Sequence, residues 1–133
     1  TLGDPLMDLG SALAYWIQED DDALMKSSRR QPTNLKGMLT RQQVVDYYLD
    51  KTGLQPENWA FYEVFGLFRL AVIAQQIYYR YYHQQTDNPA FKDFWILIHA
   101  LHIRALKLIA ANNAEAQQLI PEYGAKLQDI LKR

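Results

Sequence analysis

His99 and His102 stand three residues apart, a spacing that places two imidazoles on one helical face and can bring both to one metal ion. The competing reading makes His102 a core or pocket-lining histidine, because it falls within a stripe of Phe91, Phe94, Ile98 and Ile109. No carboxylate stands at a matching i, i+3 or i+4 position, so no metal site is assigned. Arg69 interrupts an otherwise apolar stretch, where a buried guanidinium is costly unless paired. On a helical wheel it shares a seam with Tyr62, Gln76 and Arg80, while Glu63 lies roughly 120° away. Two readings follow. In one, Arg69 pairs with Asp8 or Glu63 inside a bundle. In the other it offers a bidentate fork to a phosphate or carboxylate on a substrate, and Arg69, His102, Tyr62 and Gln76 are the candidate substrate-binding residues.

The run Tyr78-Tyr79-Arg80-Tyr81-Tyr82-His83 has rings enough to stack a base. Tyrosines at a helix end also seal a core with their rings while the hydroxyls meet water. The acidic run Glu19 to Asp22 either attracts a cation or is a solvated helix end. No G-x-G-x-x-G or Walker-type loop, no G-x-S-x-G elbow and no H-E-x-x-H helix occurs, so the chain carries no evident complete active site.

These residues must be positioned by helices. Asp4-Pro5 is a helix-start pair, the Asp capping orphan amides and the Pro filling a position whose N–H is unused. Leu6, Leu9, Leu13, Trp16 and Ile17 then form one stripe, with Asp8 about 160° to 200° away beside Tyr15, and the helix fades into Glu19 to Asp22. Lys26 to Leu39, with Pro32 and Gly37, read as a mobile loop. Thr40 and Gln43 form a capping box for a helix ending at Gly53. Pro56-Glu57-Asn58 opens a long helix to about Tyr82, apolar nearly all round and so expected to be the buried central one. Asp87-Asn88-Pro89 starts another, from Phe91 to about Ala111. Asn112-Asn113 is a turn, and Glu115 to Lys132 is helical on both sides of a break at Pro121. No run alternates with period two. The expected fold is all-α, a helical bundle with two long central helices, over 1–133 as a single helical subdomain.

A chain of 133 residues with 49% apolar and 13% aromatic content can build a core. Its net charge of -1 offers no general attraction for nucleic acid and leaves room only for a local basic patch. Cysteine is absent, which removes disulfides and thiolate chemistry. The most apolar run, Val64 to Ala74, contains Arg69 and is shorter than the roughly 20 residues that span a bilayer. A soluble, cytoplasmic protein without a membrane or nucleic-acid partner is the expectation.

The segment Leu2-Gly3-Asp4-Pro5-Leu6-Met7-Asp8-Leu9-Gly10 resembles the G-D-P-x-x-D-L motif of the aminoglycoside phosphotransferase family, related to choline kinases and built on a protein-kinase-like fold. The stretch Trp59 to Ala71, with Tyr62-Glu63-Val64-Phe65-Gly66-Leu67-Phe68-Arg69, resembles the branch found next to acyl-CoA dehydrogenases in multidomain proteins. That branch is associated with hydroxyacyl-CoA-type substrates. The resemblance implies the C-terminal helical part of an ATP- and Mg2+-dependent phosphotransferase acting on a substrate hydroxyl. Asp4 would cap the helix beside the active site and Asp8 would hold the backbone of the catalytic loop. The family's phosphate loop, lysine, catalytic H-G-D and metal-binding Asp have no counterpart in this chain. By itself it is therefore expected to be inactive and to bind no cofactor, its partners being the catalytic portion, a small-molecule substrate and a second copy through an uncovered face around Asp8 and Tyr15. The alternative is a stand-alone helical scaffold or protein-interaction domain.

Overall fold

The computed structural model describes residues 3–111 and 113–132; Leu2 of the opening motif and Asn112 of the predicted turn lie outside them. The described residues form α1 (Pro5–Ala14), α2 (Ala23–Ser27), α3 (Arg41–Thr52), α4 (Trp59–Tyr82), a 3-10 turn (Pro89–Phe91), α5 (Phe94–Ala110) and α6 (Ala114–Leu131), with no strand among them. The all-α expectation and its two long central helices, α4 and α5, hold. Two compact units divide the chain, Thr1–Gly66 and Leu67–Arg133.

In the first unit the core is Leu6, Leu13, Ala14, Ile17, Met25 and Val45. A fully buried aliphatic side chain of this size contributes about 1.5–3 kcal/mol. Helix α1 begins where Asp4 Oδ1 accepts the Leu6 N–H at 2.9 Å, with Pro5 next in the chain. It stops at Ala14, earlier than the periodicity predicts. Trp16 and Ile17 continue the apolar rhythm outside the helix because tertiary bonds claim them. The indole Nε1 of Trp16 donates to Leu39 O at 2.9 Å, and the Ile17 N–H donates to the buried Thr33 hydroxyl at 3.1 Å.

In the acidic run Glu19, Asp20 and Asp22 are exposed, as the solvated reading predicts, while Asp21 is half-buried and paired. Asp22 N-caps α2 through the Met25 N–H at 2.9 Å, a short helix whose last residues, Lys26 and Ser27, extend into what reads as loop from Lys26 onward. Asp21 accepts both guanidinium nitrogens of Arg41, at 2.7 and 2.8 Å, and Arg41 also donates to Trp16 O at 2.9 Å. Thr40 and Gln43 close both halves of the predicted capping box on α3, and Gly53 ends it in the left-handed region at φ 71. Only a residue without a Cβ enters that region freely.

Helix α4 differs from the sequence expectation in its exposure. Leu67 and Ala74 are buried, but Phe61, Phe68, Val72 and Tyr79 stay exposed, so the helix is not enclosed all round. At 24 residues it is also, by length and composition only, long and apolar enough to cross a membrane, a test that the core helix of a soluble protein passes as well.

In the second unit α6 packs on α5. Leu101, Ala100, Ala110 and Ala116 are buried, and Ile120, Tyr123, Gly124 and Leu127 form a half-buried stripe on α6. The predicted break at Pro121 is absent: α6 runs through it. Proline supplies no N–H, so the Gln117 carbonyl loses its usual i+4 donor at a cost of about 3 kcal/mol. Packing on α5 and the end contacts offset this. Asn113 Oδ1 accepts the Glu115 and Ala116 amides at 3.0 and 3.4 Å, and Gln117 Nε2 donates to Ala110 O at 3.1 Å. The predicted start of α5 at Phe91 also shifts, since Pro89–Phe91 form a separate 3-10 turn capped by Asn88.

Candidate functional site

The amino terminus of α1 brings Asp4 and Tyr62 together. While Asp4 Oδ1 caps α1, its Oδ2 accepts the Tyr62 hydroxyl at 2.7 Å. Tyr62 is thereby a clasp between α1 and the first turn of α4. The phenol is held above its ordinary pKa, first by donating to this carboxylate, then by burial and by the charges of Asp4 and Glu57. Losing that proton would set two anions face to face. Trp59 stacks on Tyr62 with ring centroids 5.8 Å apart.

The clasp depends on two glycines that the sequence reading did not single out. A Cβ on Gly10 would lie 2.7 Å from the Tyr62 carbonyl carbon, and one on Gly66 would lie 2.6 Å from the Gly10 carbonyl carbon. The backbones of α1 and α4 touch there with no side chain between them. Isolated glycines inside helical patterns were the available signal. One turn beyond Asp4, Asp8 is exposed on α1, as its position off the core stripe predicts.

The other candidates separate. Arg69 is exposed, so the cost of burying a guanidinium does not arise. Gln76 is likewise exposed on α4. Of the tyrosine run, Tyr79 and Tyr82 are exposed while Tyr78 and Tyr81 are half-buried, so only the latter pair can seal a core. The Tyr79 ring lies tilted by 47° against that of His83, with centroids 4.2 Å apart.

In the second unit His102 is exposed, which excludes the core half of the core or pocket-lining reading; Ile109 of the same stripe is exposed too. The His102 ring lies 4.2 Å from that of Tyr123, and the Tyr123 hydroxyl is hydrogen-bonded to Nδ1 of His99. Burial, and secondarily the charge of His102, hold His99 below its ordinary pKa, while burial raises that of Tyr123. Because folding favours the neutral His99 ring, the unfolded chain takes up more protons as pH falls through the ordinary histidine value of about 6.5. Stability is therefore expected to drop on acidification through that range and to be indifferent to His99 above it. Melting temperatures at neutral and mildly acid pH should show a smaller acid loss in His99→Gln than in the parent; equal losses would rule out His99 as the source. No group of three His, Cys, Asp or Glu able to hold a metal ion occurs among the described residues.

No family model matches the chain, and no solved structure matches it. Over 82 residues, 60% of the chain, the sequence is 35% identical to acyl-CoA dehydrogenase family member 10 of Mus musculus. The matched stretch spans 8% of that protein's length, so the chain is similar to one small segment of a much larger protein.

Proposed function

We propose that this chain is the helical, substrate-side part of an ATP-dependent small-molecule kinase that phosphorylates a hydroxyl, of a hydroxyacyl-CoA-type substrate in the first instance. The observation that carries the reading is the α1 amino terminus. Asp4 caps the helix and is clasped by Tyr62, while Asp8 is turned outward in the family-like motif, available to a backbone outside this chain. The similarity to a segment of a protein named as an acyl-CoA dehydrogenase family member supports the choice of branch. ATP and Mg2+ would be held by the catalytic portion, and no step is assigned to them here. In such enzymes catalysis is positioning plus charge neutralisation, so a brace on the catalytic loop acts on turnover.

Asp8→Asn in the intact parent is expected to leave stability within about 0.5 kcal/mol, because the side chain is exposed. Turnover should fall by roughly 100-fold, the scale of an ångström-sized misplacement. ADP release with hydroxyacyl-CoA and aminoglycoside panels measures it. Unchanged turnover would remove Asp8 from the mechanism; no turnover on any hydroxyl, with no ATP binding, would remove the kinase reading. The exposed Phe61, Phe68, Val72 and Tyr79 on α4 favour the second reading, a helical interaction domain.

A further inference from the structure

We infer that residues 24–39 form a docking surface for an anionic lipid bilayer, in place of the membrane-free expectation. Between Ala23 and Val45 the sequence contains no Asp or Glu, but it holds Lys26, Arg29, Arg30, Lys36 and Arg41. Arg41 is committed to Asp21. Arg29, Arg30 and Lys36 are exposed, and Lys26 is half-buried. The same segment exposes four large aliphatic side chains, Leu24 at 43%, Leu35 at 56%, Met38 at 44% and Leu39 at 46%.

These exposures belong to a built excursion. Met25 anchors α2 in the core, the buried Thr33 hydroxyl accepts the Ile17 N–H, and Leu39 O accepts the Trp16 indole. Between the pins, Met38 N–H donates to Leu35 O at 3.1 Å, with Gly37 at φ 89 completing the turn. Arg29 Nη1 donates to Asn34 Oδ1 at 3.4 Å, which ties the exit of α2 to that turn. Leu35, Lys36, Met38 and Leu39 thus lie in and next to one tight turn that is tied through Asn34 to the basic exit of α2.

Aliphatic tips flanked by cations match the chemistry of a bilayer surface, where apolar groups enter the headgroup boundary and cations meet anionic headgroups. The segment has no aromatic ring to stack a base, which argues against nucleic acid. Glu19 and Asp20, exposed just before it, temper the attraction, so binding is expected to be reversible and salt-sensitive.

The test is flotation of the full chain with vesicles of phosphatidylcholine, with and without phosphatidylserine, at low and high salt. Binding is expected with phosphatidylserine vesicles and to weaken with salt. Each cation near an anionic surface contributes about fivefold, so Arg29→Gln with Arg30→Gln should weaken partition roughly 25-fold. Leu35→Ser with Met38→Ser should weaken the binding that remains at high salt. All four side chains are exposed, so circular dichroism should report an unchanged fold in both variants. Equal binding to neutral vesicles, no binding to anionic ones, or an unaffected arginine variant would overturn the inference. So would tight binding of an acidic polyglutamate peptide without any vesicle binding, which would assign the surface to a protein partner.

Discussion

Gly66→Ala is expected to destabilise the chain by about 2 kcal/mol, although alanine is the better helix former by about 1 kcal/mol. The added carbon meets backbone, 2.6 Å from the Gly10 carbonyl carbon and 3.0 Å from the Ser11 nitrogen, and backbone cannot rotate aside. Overpacking against fixed atoms costs typically about 1–3 kcal/mol, so the clash outweighs the propensity gain. The helices α1 and α4 would separate, and the Asp4–Tyr62 bond would stretch with them. A melting temperature lower by on the order of 10 °C should follow. Gly124→Ala supplies the opposite sign within the same protein. A Cβ there meets nothing within 4 Å, and the helix gains roughly 0.5–1 kcal/mol. If Gly66→Ala melted at or above the parent, close backbone packing between α1 and α4 would be wrong.

The second large effect lies at Arg41. Its side chain and that of Asp21 are only 16% and 11% exposed, and the guanidinium also holds Trp16 O. Arg41→Ala removes three hydrogen bonds and the cation opposite a largely buried carboxylate, which retains the Gln18 N–H at 2.9 Å. A fully buried pair broken on one side costs about 3–5 kcal/mol; with the residual exposure, about 2–3 kcal/mol is expected here. Arg41→Lys keeps the charge but not the planar fork, so it should recover only part of the loss. Urea unfolding midpoints distinguish the three proteins. Joint removal of Asp21 and Arg41 should cost less than the sum of the single losses, since each single variant strands a partner.

What could be read from the sequence was punctuation. Asp4-Pro5, Thr40 with Gln43 and Gly53 each carry a local mechanism, and each appears at its place, whereas Asn88-Pro89 caps a short 3-10 turn ahead of α5. A cap needs only the next few residues to work, so it survives ignorance of the fold. Where a helix stops for tertiary reasons, the reading failed. Nothing near Ala14 marks an end; the stop is set by Thr33 and Leu39, 16 and 23 residues away from their partners Ile17 and Trp16.

Burial failed for a related reason. A wheel shows which residues share a face but not whether a neighbour covers it, so the exposure of Arg69 and His102 is not legible from their stripes. The exposure of Asp8 is legible because polarity and position agree. The bond between Tyr62 and Asp4 is not legible in the sequence, since a separation of 58 residues leaves no local trace. Gly10 and Gly66 were visible as residues and invisible as a contact.

Helix α6 has a consequence for the order in which the chain acquires structure. With Pro121 and Gly124 in its interior, it is a poor autonomous helix, and nucleating such a segment alone is unfavourable. Its helicity is borrowed from α5, which has neither residue. During folding, α5 can form as a template from its own local preferences, whereas α6 gains its shape only by condensing onto that template. The last turn of the protein to be written into structure is then also the first to be erased when the molecule breathes.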